Sequence, residues 1–151
     1  MIKIITIGKK HDPNLESAIK DYEKRISPLV KFEWKIINHE TGDALFTRHT
    51  ESLKIMNAVR PNDYVILLDE RGRTIKSEAL ASLINTAQTH TRDIVLIIGG
   101  AHGVDESVLQ RADTIISFGC SVFPHQLVRL MAIEQIYRSL TIIKGLPYHN
   151  A

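Results

Sequence analysis

The 151 residues suffice for one domain with a real hydrophobic core and are too few for several. Lys and Arg number 19 against 17 Asp and Glu, so bulk charge neither demands a polyanionic partner nor excludes one. The single cysteine, Cys120, excludes an internal disulfide and a cysteine-rich metal site, and it points to a reducing cytosol.

The opening Ile2–Ile7 is apolar and β-branched and reads as a first strand; it is too short for a signal peptide. Asp12 before Pro13 supplies an N-cap and a proline at the first helical position, which predicts a helix to Arg25. Phe32–Ile37 is a second strand. A helix over Leu45–Val59 follows and is stopped at Arg60-Pro61. Tyr64–Leu68 and Ile94–Ile98 are continuously apolar, the mark of strands buried on both faces of a parallel sheet. Between them Leu80, Leu83, Ile84 and Ala87 recur at helical spacing, with Ser77 placed to cap. Thr114–Phe118 is a weaker fifth strand, and Pro124–Leu140 is the longest helix. Alternating elements of this kind predict an α/β fold, here one domain spanning 1–151. No run approaches the ~18 apolar residues of a membrane span, so the chain reads as a soluble cytoplasmic protein.

Ile94 to Ser107 joins a buried strand, a glycine turn and a helix start, and ligands of open α/β sheets sit beyond such strand ends. Gly99-Gly100-Ala-His-Gly103 is also compatible with a plain tight connection. It lacks the dinucleotide spacing G-x-G-x-x-G, and no Gly-Lys-Ser/Thr follows to make a phosphate loop. Asp105 and Glu106 at the helix start complement its dipole and repel a phosphate. A nucleoside without phosphates avoids that conflict.

The remainder of the chain is more specific. Ile115-Ile-Ser-Phe-Gly-Cys-Ser-Val-Phe-Pro-His-Gln-Leu-Val-Arg-Leu130, Glu134-Gln-Ile-Tyr-Arg138 and Leu146-Pro-Tyr-His149, taken with Leu96-Ile-Ile-Gly-Gly100, closely resemble the ribosomal RNA large subunit methyltransferase H family of the SPOUT superfamily. The likeness spans the chain and includes Ile4–Lys9, Tyr22-Glu-Lys-Arg25 and Leu67-Leu-Asp-Glu70. It implies a SPOUT-type parallel sheet flanked by helices with a C-terminal trefoil knot, an exception to unknotted topology. It also implies a homodimer, the cofactor S-adenosyl-L-methionine, and methylation at N3 of a pseudouridine in 23S ribosomal RNA, with the assembled ribosome as substrate.

On that resemblance the cofactor is held by Leu68, by Gly99 and by a third wall of Phe118, Gly119, Cys120, Ser121, Val122 and Phe123. The aromatic and aliphatic side chains of that wall suit an adenine ring, although without the resemblance core packing is the favoured reading of Phe118 and Phe123. The substrate side falls to Tyr148, which can stack on an extruded base, and to His149, a base or hydrogen-bond partner for the uracil-like edge. Arg129 shares a helix face with His125, expected to open toward the cofactor loop, and is a candidate for RNA phosphate or for developing charge. Arg138 has an i, i+4 partner in Glu134. Leu127, Leu130, Met131, Ile133, Ile136, Tyr137 and Leu140 cover more than one stripe of the last helix, which fits burial in a dimer interface as well as in the core. The family usually ends with a basic residue after Tyr-His, whereas this chain ends Asn150-Ala151; Lys144 can supply part of that charge.

No histidine spacing suits a metal, so none is expected. The alternatives are a methyltransferase of the same fold acting on transfer RNA and a non-catalytic RNA-binding protein that keeps the fold. A nucleotide-dependent oxidoreductase is disfavoured by the glycine spacing.

Overall fold

A computed structural model describes residues 1–90 and 92–150; Thr91 and Ala151, the last residue of the atypical tail, lie outside the described residues. The order of elements is β1 (Ile2–Ile7), α1 (Pro13–Ile26), β2 (Phe32–Ile37), α2 (Ala44–Asn57), β3 (Tyr64–Thr74), α3 (Ser77–Thr89), β4 (Ile94–Ile98), α4 (Glu106–Arg111), β5 (Thr114–Ser117) and α5 (His125–Lys144). The five strands form one sheet in the order β2-β1-β4-β3-β5, and every pair is parallel.

Both faces of the sheet are covered, which explains the unbroken apolar runs: all five side chains of β4 are buried. Alternate residues serve opposite faces. Ile2, Ile4, Ile66, Ile94 and Leu96 pack with Ile19, Leu80, Ile84, Ile133 and Ile136 of α1, α3 and α5. Ile5, Ile7, Val65, Leu67, Val95 and Ile97 pack with Ile55 of α2 and Val108 of α4. Because all strands run the same way, their carboxyl ends share one edge of the sheet.

Asp12 caps α1 as expected, its Oδ1 accepting from the Asn14 amide at 2.8 Å. D12A is expected to cost about 1 kcal/mol, read from urea denaturation midpoints. Ser77 does not cap α3: Lys76 holds the cap position without a side-chain bond, and Ser77, already helical, donates to Gln135 of α5 at 2.7 Å. The last helix starts one residue after Pro124 and runs past Leu140 to Lys144, where Gly145 ends it in a left-handed conformation at φ 66°.

Candidate active site

The edge at the strand ends is built around an unusual third strand. Leu68 pairs with Ile116, and after a register shift Arg73 pairs with the same Ile116, so residues 69–72 bow outward. At Gly72 the chain crosses β5 at close range: a Cβ there would lie 2.6 Å from the Ile116 carbonyl carbon and 2.7 Å from its nitrogen and oxygen. Only glycine permits this approach.

The bow, the glycine turn after β4 and the loop after β5 surround a cavity of about 520 Å³, within the ~300–1,000 Å³ range of small-molecule sites. Of the residues the sequence pointed to, Leu68, Gly99, Phe118, Gly119, Ser121, Val122 and Phe123 line it together. Cys120 is exposed and is not among the lining residues. The Ser117 hydroxyl donates to the Gly119 carbonyl at 2.6 Å and accepts from the Gly119 amide at 3.1 Å, which fixes the turn of the third wall. Val122 is 88% exposed at the rim.

Arg48, Arg71 and His102 also line it and carried no signal in the sequence, whereas Asp69 and Glu70 belong to the Leu67–Glu70 likeness and His125, in the first turn of α5, faces the cavity as expected. Asp69 and Arg71 form a two-pronged pair, Nε to Oδ1 and Nη2 to Oδ2 both at 2.8 Å. The bonds from Arg71 hold the Asp69 carboxyl below the usual carboxylate range. A carboxyl whose folded pKa is lowered stabilises the fold above its unfolded pKa of about 3.9 and loses that contribution as pH falls through the folded value. The stability gap between wild type and D69N is therefore expected to hold steady at neutral pH and close on acidification below about pH 4, read from urea midpoints at each pH. Behind the glycine turn lies a further unpredicted residue, Glu51 of α2, 1% exposed. Its Oε2 accepts from the Glu40 amide at 3.1 Å, and its Oε1 packs so closely on Gly100 that a Cβ there would approach to 2.5 Å. The helix start itself is closed to anions, since Asp105 caps α4 by accepting from the Ser107 amide.

Arg129 does not share the cavity with His125. It is 1% exposed, and its guanidinium donates to the carbonyls of Lys9 at 2.8 Å and Ile7 at 3.3 Å. In this position it has no direct access to a phosphate. A buried arginine at a helix start cannot be told from an exposed one by i, i+4 spacing alone.

Tyr148 and His149 are likewise away from the cavity of their own chain. Tyr148 donates to Glu134 Oε1 at 3.0 Å and shares a hydrogen bond with the Tyr22 hydroxyl at 3.1 Å. Its ring stands edge-on to Tyr137 and under the Arg138 guanidinium, 4.7 Å away in both cases. Burial, with the bonds to Tyr22 and Glu134, pushes its pKa well above the ordinary tyrosine value, so it is a neutral hydroxyl and not a base at neutral pH. His149 lies between Arg138, at 3.1 Å from Nδ1, and Glu78, at 3.1 Å from Nε2. Arg138 pairs with Glu134 at 2.6 Å, as the i, i+4 spacing implied. From His125 to Arg138 the helix runs about 20 Å, so α5 holds the cavity at one end and the tail at the other. Between them, Leu127, Leu130 and Met131 of the second apolar stripe line an open groove of about 530 Å³ with Tyr22 and Leu80, reaching the cavity at Ser117 and Phe118.

Among the described residues, no group of three or more His, Cys, Asp or Glu is arranged to hold a metal, and no helix is long and apolar enough to cross a membrane.

Residues 1–149 match the family described as predicted SPOUT methyltransferase. The chain is 38% identical to a ribosomal RNA large subunit methyltransferase H of Christiangramia forsetii, covering 99% of this chain and 98% of the relative. It is 39% identical to the protein of the same name from Clostridium beijerinckii, over 99% of each. Among solved structures, a probable methylase family protein from Haemophilus influenzae superposes with a TM-score of 0.60 at 12% identity, covering 99% of this chain and 70% of the other, a likeness of fold alone.

Proposed function

The chain belongs to the SPOUT methyltransferases, in the family of ribosomal RNA large subunit methyltransferase H, and we propose that it methylates N3 of a pseudouridine in 23S ribosomal RNA on the assembled ribosome in the cytoplasm, with S-adenosyl-L-methionine as cofactor. That it is a methyltransferase acting on ribosomal RNA follows from the family; the target atom and the cofactor are the finer reading.

The cavity carries that reading. Its glycine turn has no lysine of a phosphate loop, its neighbouring helix start is capped by Asp105, and Asp69 and Glu70 stand in its wall. Arg48 and Arg71 balance those carboxylates, so the wall carries no net charge that calls for a phosphate, and without a phosphate loop or a free helix start the site suits a phosphate-free nucleoside. Phe118, Val122 and Phe123 offer apolar surface to an adenine, Gly119 offers backbone groups to its edge, and Leu68 and Gly99 close the opposite sides. When bound, the cofactor supplies an activated methyl group for in-line displacement. The chain's own task is to orient the base and accept the N3 proton of a weakly acidic imide.

His149 takes that proton in this reading, and Tyr148 supports the base as a neutral ring and hydroxyl. Since α5 separates them from their own cavity, a second copy brings them: a homodimer packed over the groove at Leu127, Leu130 and Met131, each cavity completed by the other chain's tail. Arg129 serves the site by holding the Ile7–Lys9 backbone. In this reading one domain covers 1–151, and its carboxyl-terminal segment threads a trefoil knot.

Calorimetric titration tests the cofactor. S-adenosyl-L-methionine should bind where NADH and ATP do not, and F118A should weaken it about tenfold through lost apolar contact. Absence of binding even with ribosomes present would sink the enzyme reading. Comparison of ribosomes, naked 23S RNA and transfer RNA as methyl acceptors separates the proposed substrate from the transfer-RNA alternative.

A further inference from the structure

The segment between β1 and α1 is held more firmly than a surface loop requires. Gly8 leaves the strand at φ 130°, its amide bound to the Ile37 carbonyl at 2.9 Å. Arg129 Nη1 donates to the Lys9 carbonyl at 2.8 Å and lies 3.3 Å from His11 Nδ1, while Nη2 reaches the Ile7 carbonyl at 3.3 Å. One turn earlier on α5, Gln126 accepts from the Asp12 amide at 2.9 Å and donates to the Lys10 carbonyl at 3.3 Å. Burial, then the neighbouring Arg129 charge, lowers the pKa of His11, which keeps its ring neutral and able to accept. Two side chains of α5 thus fix the backbone from Ile7 to Asp12.

Lys9 and Lys10 themselves are exposed, and neither has a carboxylate within ion-pair distance among the described residues. Lys9 and Lys10 follow β1, the sheet neighbour of β4, and Ile7 packs beside Gly100, where a Cβ would lie 3.3 Å from Ile7 Cγ2. His125, in the same turn of α5 as Gln126, borders the cavity. Two unpaired cations on a rigid backbone next to a cavity read as a site for polyanion backbone, because preorganised charge loses little entropy on binding.

We propose that Lys9 and Lys10 form a phosphate-binding step for the ribosomal RNA backbone beside the cofactor cavity, and that Arg129 and Gln126 are positioning residues that hold this step in place. The proposal rests on the ribosomal RNA reading above, and it moves Arg129 from contact with RNA to support of the residues that make it.

The test measures binding of the full-length protein to 70S ribosomes and to naked 23S RNA across a salt series, with calorimetry of S-adenosyl-L-methionine on each variant. K9Q/K10Q should weaken RNA binding roughly tenfold and flatten the plot of log affinity against log salt by about 1–2, as expected for one or two lost phosphate contacts. Cofactor affinity should not change. R129Q should flatten the slope similarly, and R129Q added to K9Q/K10Q should bring no further loss, the signature of residues acting through one contact. Wild-type affinity and slope in K9Q/K10Q would overturn the proposal, as would a loss confined to ribosomes and absent on naked RNA, since that contact would be to protein. Failure of the wild type to bind cofactor would strike the enzyme reading instead, and the salt series would still decide the lysines.

Discussion

His149→Ala is expected to lower the rate of methyl transfer by about 10²–10⁴-fold, the usual contribution of a positioned acid–base group. The cofactor affinity of the variant should match wild type, because the walls assigned to the cofactor are Leu68, Gly99 and Phe118–Phe123, and His149 is not among the cavity's lining residues. Single-turnover rates on ribosomes measure the first quantity and calorimetry the second. His149→Asn, which keeps a hydrogen bond but cannot take the proton, separates orientation from proton removal. A large loss in both variants assigns the base; a loss in alanine alone assigns a hydrogen-bond role; an unchanged rate in both removes His149 from the chemistry. Tyr148→Phe makes a useful companion, since a neutral hydroxyl that donates to Glu134 and bonds to Tyr22 cannot take up the N3 proton, and its loss should be far milder.

The second large effect falls on stability. Gly72→Ala would place a methyl group 2.6–2.7 Å from three backbone atoms of Ile116, atoms that cannot rotate away as a side chain can. The expected cost is roughly 2–4 kcal/mol, at or above the upper end for overpacking, which lowers the melting temperature by roughly 6–12 °C in a chain of this size. Because residues 69–71 form the cavity wall and hang from this crossing, the variant should also bind S-adenosyl-L-methionine more weakly even at temperatures where it remains folded. A melting temperature within a degree or two of wild type would show that the crossing relaxes easily.

The strands were legible because their burial is two-sided. Ile94–Ile98 has no polar face to disguise it, and its bounds in the structure are those of the apolar run. The extension of β3 through Asp69-Glu-Arg-Gly-Arg-Thr74 was not legible: all but Thr74 are poor strand formers, and their pairing comes from a strand more than forty positions later. The end of α5 at Lys144, four residues past Leu140, matches a stop signal in the sequence, a basic residue followed by glycine at Lys144-Gly145. In the site, resemblance identified the walls at Leu68, Gly99 and Phe118–Phe123, and seven of those eight residues line the cavity. It could not locate Glu51, because a buried carboxylate within a helix looks like any solvated glutamate until Gly100 is seen packed against it. Arg129 failed for the converse reason: its spacing from His125 gives a shared face, and that face turns under the loop after β1 within a single turn of helix.

The strand order has a consequence for synthesis. β4 lies between β1 and β3, and α5 covers the face that carries Ile4, Ile66 and Leu96. A growing chain can pair only β1 with β2 until residue 98 has emerged, and α1 and α3 leave that face only partly covered until the last helix follows. Folding is thus deferred to the end of translation, with non-local pairings closing last and slowly. An interrupted message yields no fragment with a finished sheet, only an apolar chain for chaperones or proteases to collect.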